Sequence, residues 1–525
     1  MGEVGQLWFG GTIYTMQRDG ETVEAVLVED GKVKKLGTYE ELKTQAEEVF
    51  DLQGAVMYPG FVDSHLHMIG YGEKLLRLDL TNVKSSDELL DVIKQAAANC
   101  SSDEWLIAEG WDENQFNDNR IPTVQELDAI RQEPIVLKRI CRHVVLANTS
   151  AMAAGNITQE TPNPEGGEIG RDENGLLTGL LYDQALYKVL DQIPVEQEYS
   201  LTNTLELAVN HLLSLGLTGG HTEDMSYYGH FSNPLNAFNE IIGKRKNFRA
   251  HLLRHHLAFE QMMTSNATYS EPFVEAGAMK IFSDGALGGA TAALIEPYEN
   301  QPQNKGLIIH TSKQLDELVK LARFYGEAVA VHIIGDAALE QVLTAIEANP
   351  LTNGKKDRLI HCSVVNDLLI ERMSKLPVIL DLQPQFILSD FPWIIEKIGQ
   401  KRAELTYPFK RFLEKGLICA GGSDAPIEDA NPLLGIHAAI ARKKHVESHE
   451  GYIPTEKLTR FDAISLYTTG SAKVIGKEQV RGTIQPGYDA DFSIFDKDLF
   501  VCELDEIPNA IALKTVVAGN VVFSK

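Results

Sequence analysis

The sequence predicts an α/β protein built on a (β/α)8 barrel, with a small sheet domain drawn from both chain ends and an insertion after the first barrel strand. Three observations predict it. Eight short strand-like runs alternate with amphipathic helical stretches through the middle of the chain. The two ends share another texture, of short alternating strands and tight turns. Roughly 130 residues without the β/α rhythm follow the first barrel strand, more than a βα loop accommodates.

The elements follow in order. Residues 6–56 read as strands: "LWFGGTIYTM", "AVLVEDGKVKKLG" and "EEVFDLQGAVMYP" alternate apolar and polar positions, and "EDGK" is a hairpin signal. The run "AVMYPGFVD" is short, apolar and punctuated by Pro59–Gly60, so it reads as a buried strand ending near His65 and His67. The next stretch contains "EWLIAEGWDENQFNDNR", "EPIVLKRICRHVVLANTSAM" and a loop rich in Gly, Pro and Asn at 155–175. It reads as an inserted subdomain that covers the mouth of the barrel. A helix at about 200–215 resumes the rhythm. Further strands are expected at 217–224, 248–257, 278–284, 328–334, 358–363, 377–382 and 417–424, with helices such as "SKQLDELVKLARFYG" between them. The C-terminus returns to strands in "GTIQPGYDADFSIFD" and "ALKTVVAGNVVFSK", the latter turning at Gly519–Asn520. The expected domains are 1–58 with 477–525, a barrel of 59–80 with 200–476, and an insertion of 81–199.

Bulk properties narrow the function. A length of 525 residues suits several domains or one large barrel with additions, and 44% hydrophobic and 23% charged residues are globular values. The net charge of −26 argues against nucleic acid or an anionic membrane as a partner. Five cysteines, without any CxxC, argue against a disulfide framework or a structural zinc ribbon. "MGEVGQLWFGG" lacks the features of a signal peptide, and no apolar run is long enough to span a membrane. A cytoplasmic protein acting on a small molecule, possible as a homodimer, is expected.

His65 and His67 are one residue apart in "YPGFVDSHLHM". In a strand, residues i and i+2 share a face, so both imidazoles can turn onto one ion. Alone the pair is weak. Other expected strands end in metal-competent groups too: Lys280 in "AMKIFSDG", His332 in "AVAVHIIGD", His361 in "RLIHCS" and Asp424 in "CAGGSDAP". The C-terminal ends of barrel strands are where such enzymes build active sites. A lysine in an apolar strand is pushed towards its neutral amine, which adds carbon dioxide to give a carbamate able to bridge two metals; a salt bridge to Asp284 is the plainer alternative.

These segments, with the terminal "GTIQPGYDADF", resemble the amidohydrolase superfamily, and most closely its YtcJ-like branch, which includes N-substituted formamide deformylases. The resemblance extends through "RHVVLANTSAM" and "NGLLTGLLYDQA". It implies a distorted (β/α)8 TIM barrel flanked by a β-sandwich from both chain ends. It also implies that His65, His67 and Asp424 hold one divalent ion, that His332 and His361 hold a second, and that carbamylated Lys280 bridges them. Zinc suits this donor set. Asp424 is the implied catalytic acid–base. One segment departs from the branch: "DGALGGATAAL" puts Gly289 and Ala290 where the branch has Ser-Arg.

The remaining candidates are less specific. His143, Trp111, His221 and Asp284 are substrate-contact candidates, and Phe116 and Asp224 accompany them. Asp336 is read as a group orienting a metal ligand or as a helix N-cap. The leading expectation is a metal-dependent hydrolase of a non-peptide C–N bond. A mononuclear zinc deaminase, a catalytically silent regulatory or ligand-binding protein on the same scaffold, and a metal-free barrel enzyme are the alternatives.

Overall fold

The computed structural model describes residues 5–525 apart from 99, 102–103, 114–115, 119, 140–143, 165–166, 194–199 and 266. The chain divides into two units, Met1–Tyr71 with Leu205–Lys525, and Gly72–Thr204.

The first unit contains the barrel. Its eight parallel strands are β1 (Phe61–Leu66), β2 (Leu217–Thr222), β3 (Arg249–His255), β4 (Val274–Phe282), β5 (Val329–Ile333), β6 (Asp357–His361), β7 (Val378–Leu382) and β8 (Ile418–Gly421). Each strand overlaps its expected run; β1 extends past the end of its run to Leu66, β4 begins four residues before its run, at Val274, and β6 one residue before, at Asp357. Runs such as "VILDL" are buried along their whole length, as parallel strands covered on both faces require. The helix Ser312–Phe324 starts where Thr311 and Gln314 cap each other's backbone amides, and buries Leu315, Val319 and Ala322 on one face.

Ladders join β1 through β8 in sequence order, and the seam between β8 and β1 is closed differently. There the Asp424 amide donates to the His65 carbonyl at 2.7 Å and the His67 amide to the Ala425 carbonyl at 2.7 Å. Ser423 Oγ donates to the buried Asp63 carboxylate at 2.6 Å. This is the distortion of the barrel, and it lies beside the candidate ligands.

Both chain ends form one eight-stranded sheet. They meet where Val56–Pro59 runs antiparallel to Phe492–Phe495. The hairpin between Thr22–Glu29 and Lys32–Gly37 turns at Asp30 and Gly31, with φ of 53° and 69°, the left-handed pair that a two-residue hairpin needs. Trp8, Met57, Phe492 and Val516 share its core. The sheet is tied to the N-terminal ends of the barrel strands. Ser493 Oγ accepts from the Phe61 amide and donates to the Gly216 carbonyl, and Arg249 pairs with Asp491 at 2.6 Å.

The second unit has its own six-stranded sheet, from Leu78–Asp79 through Leu106–Trp111, Ile135–Arg139, Val144–Ala147 and Leu177–Asp183 to Gly167–Arg171. Leu89, Ile93, Leu127 and Ile135 pack in one core cluster and Val136, Val145, Met152 and Leu181 in another.

Candidate active site

Six side chains from β1, β4, β5, β6 and the segment after β8 converge on one cavity of about 390 Å³. His65 Nε2 is 3.1 Å from Lys280 Nζ and 3.5 Å from Asp424 Oδ1. His67 Nε2 is 3.4 Å from the same Asp424 oxygen. His361 Nε2 is 3.0 Å from His332 Nδ1. Among the described residues, His65, His67 and Asp424 form the tightest potential ligand trio, with donor atoms within 4.8 Å of one another. His361 and Asp424 have φ of 74° and 57°, the left-handed region that non-glycine residues rarely adopt. Such strain collects where structure is held for function.

The hydrogen bonds on the far side of each ring select its tautomer. His67 Nδ1 donates to the Glu223 carbonyl at 2.6 Å, and His361 Nδ1 donates to Gln383 Oε1 at 2.6 Å. Both Nε2 lone pairs therefore face the cavity. His332 is the reverse: Nε2 donates to the Gly285 carbonyl at 3.2 Å, which frees Nδ1. This is the outer-shell pattern that orients metal ligands. A cluster of lone pairs aimed at each other beside a carboxylate fits a divalent cation and is otherwise repulsive.

Electrostatics agree with that fit. Burial holds His65 and His332 well below the ordinary imidazole value and lowers His361 to about 4. These rings are neutral at neutral pH, as ligation requires. His67 differs. Burial opposes its charge, yet the hydrogen bond and charge of Asp424 outweigh burial and push it up to about 9. Burial raises Asp424, but His67 and His361 more than offset this and hold it below its ordinary value. Burial lowers Lys280 to about 8.

The rest of the cavity wall is largely aromatic, with Tyr227, Phe282, Phe386, Trp393 and Tyr407. Phe386 stacks on His361 with centroids 5.6 Å apart, and Phe282 lies 5.2 Å from His332. Tyr407 Oη donates to Asp390, whose carboxyl burial pushes up to about 7.

Several other sequence candidates do not line this cavity. Asp284 is not the partner of Lys280: it accepts from the amides of Ala293, Ile334 and Gly335 at 2.8–3.0 Å, so backbone donors occupy it. His221 is fully buried and lines a separate pocket with Arg249, His251 and Arg481 at the N-terminal end of the barrel. Trp111 and Phe116 pack in a core of the second unit, and the Trp111 indole donates to the Leu137 carbonyl at 3.0 Å. His143 lies outside the described residues. Asp336 accepts from the Ile295 amide at 2.9 Å, and Gly335 takes the N-cap position. Asp224 accepts from Thr222 Oγ1 at 2.5 Å. Gly289 and Ala290 sit in a loop where Ala290 has φ of 53° and its carbonyl accepts from Asn304.

Sequence reasoning missed Gln383, Glu223, Tyr227 and Asp63. Gln383 and Glu223 each follow the last residue of a barrel strand, which was an available signal. Tyr227 is on a loop, where no periodicity marks it.

The model of the amidohydrolase family matches residues 48–523. The chain is 46% identical over 527 residues to the putative amidohydrolase YtcJ of Bacillus subtilis, covering 99% of each protein. It is 25% identical to the N-substituted formamide deformylase of Arthrobacter pascens, covering 98% of this chain and 97% of the deformylase. The crystal structure of an uncharacterized metal-dependent hydrolase from Pyrococcus horikoshii is 28% identical, with a TM-score of 0.78 over 95% of this chain and 99% of that one.

Proposed function

Because this chain belongs to the amidohydrolase family, we propose that it hydrolyses a non-peptide C–N bond, of an amide or N-substituted formamide, at a centre of two divalent ions. The observation that carries the proposal is the convergence of His65, His67, Lys280, His332, His361 and Asp424 on one cavity, with the rings of His67, His332 and His361 oriented by hydrogen bonds on their far sides. His65, His67 and Asp424 would hold one ion, and His332 and His361 the other. Lys280, with a fraction of neutral amine at neutral pH, would react with carbon dioxide to give the bridging carbamate. Imidazole and carboxylate donors favour zinc.

When bound, the ions supply Lewis acidity and make water acidic enough to react near neutral pH. Asp424 takes the proton of the attacking water. It then gives this proton to the departing nitrogen, which leaves with the electron pair of the C–N bond. The aromatic wall holds the apolar substituent and excludes bulk water.

A second reading is a mononuclear deaminase. The close trio of His65, His67 and Asp424 suffices for one ion, and Lys280 within 3.1 Å of His65 would then stay an amine. Metal analysis with a panel of amides and formamides tests both. About two equivalents and release of an amine support the first reading. One equivalent, with ammonia released from an amino-heterocycle, supports the second. A protein that binds no divalent metal is neither.

A further inference from the structure

One loop residue of the cavity has a side-chain partner whose chemistry determines what it can offer a substrate. Tyr227, five residues beyond the end of β2, lines the cavity beside His67 and Asp424. Its ring centroid is 6.1 Å from that of His67, whereas Phe386 flanks His361. Tyr227 thus stands on the His67–Asp424 side of the centre. A nitrogen that receives its proton from Asp424 must come to that side.

Its hydroxyl proton is already committed. Tyr227 Oη donates to Glu223 Oε2 at 2.5 Å. The Glu223 side chain is fully buried, and its Oε1 has no hydrogen-bond partner among the described residues. Turning the phenol proton to a substrate carbonyl would leave that buried carboxyl group without the partner it has, and a buried polar group left unpaired is costly. The phenol oxygen, on a ring that lines the cavity, keeps its lone pairs to accept with. Glu223 also fixes where they point, since its main-chain carbonyl holds His67 Nδ1 at 2.6 Å while its side chain holds Tyr227.

Resting on the amide-hydrolase reading above, we propose that Tyr227 Oη accepts the N–H of the scissile amide, so that the site selects N-monosubstituted over N,N-disubstituted amides. As the C–N bond breaks, its electron pair stays on nitrogen and the Asp424 proton joins it. The N–H held by Tyr227 is retained, and a primary amine leaves. Glu223 is a positioning residue that keeps the phenol oxygen an acceptor.

The test uses the metal-loaded full-length enzyme with matched N-alkyl and N-alkyl-N-methyl amides and formamides, and reads the ratio of kcat/KM within each pair. The wild-type ratio is expected to favour the N–H member by about tenfold or more. In Tyr227→Phe the ratio should collapse towards one with metal content unchanged. Glu223→Gln, whose amide oxygen still accepts the phenol proton, should retain most of it. A merely structural role would lower both members of each pair and leave the ratio intact, and that result overturns the proposal. So does a wild-type enzyme without preference. If neither class is hydrolysed, the amide reading itself fails and this assignment falls with it.

Discussion

At the scale of single residues, Asp424 combines the most roles. It lies within 3.5 Å of two imidazoles, its backbone has a positive φ, and its amide helps close the seam. Asp424→Asn removes the charge and proton-transfer capacity but leaves the amide bond to His65. It is expected to fold, with a thermal transition near that of the wild type, and to lose turnover by ~10²–10⁴-fold. Asp390 offers a separate test. Burial raises its carboxyl from 3.8 to about 7, so between those values the folded chain keeps a proton that the unfolded chain has lost. Its contribution to stability is therefore full at low pH and declines as pH rises to about 7. Urea titrations across that window should show a shallower decline for Asp390→Asn than for the wild type.

At the scale of elements, the barrel interior holds a buried ion pair between neighbouring strands. Arg358 on β6 donates to Asp381 on β7 at 2.8 Å and to the Ser64 carbonyl of β1 at 2.7 Å. One side chain thus links strands on both sides of the seam, immediately before His65 in sequence. Arg358→Ala would leave the buried Asp381 carboxyl group without its ion-pair partner, at a cost of about 3–5 kcal/mol in denaturant unfolding. Replacing both partners with apolar side chains should recover most of that loss. Equal instability of the single and double variants would show that packing, not charge, is what Arg358 supplies.

At the scale of the whole molecule, both termini build one sheet that is fastened to the barrel. Val516 and Val517 are fully buried, and Ala512–Val517 pairs with Phe492–Phe495, which in turn pairs with Val56–Pro59 just before β1. Removing residues 512–525 would expose the edge of Phe492–Phe495 and the shared core. The expected outcome is loss of cooperative unfolding or aggregation. A shortened chain that keeps the wild-type transition would contradict this account. Stripping metal from the intact chain should lower its melting temperature, and restoring the ion should recover it in a concentration-dependent way, because the ion binds the folded donor set.

The barrel was legible in the sequence because each strand leaves a local mark: an apolar run, a turn signal after it, and a helix with its own periodicity. The eight strands overlap the runs that the pattern marks, and the six converging groups are polar residues at or near the C-terminal ends of those strands. Tertiary structure decided what local pattern does not encode. His221 and Asp284 stand at or near strand ends in the sequence as His332 does, yet one faces the far end of the barrel and the other is occupied by backbone amides. Which imidazole nitrogen faces the cavity depends on Glu223, Gln383 and Gly285, each distant in sequence from the ring it orients. Periodicity determines which side of a strand is buried. Hydrogen bonds between distant segments determine which atom of a buried side chain remains available for chemistry.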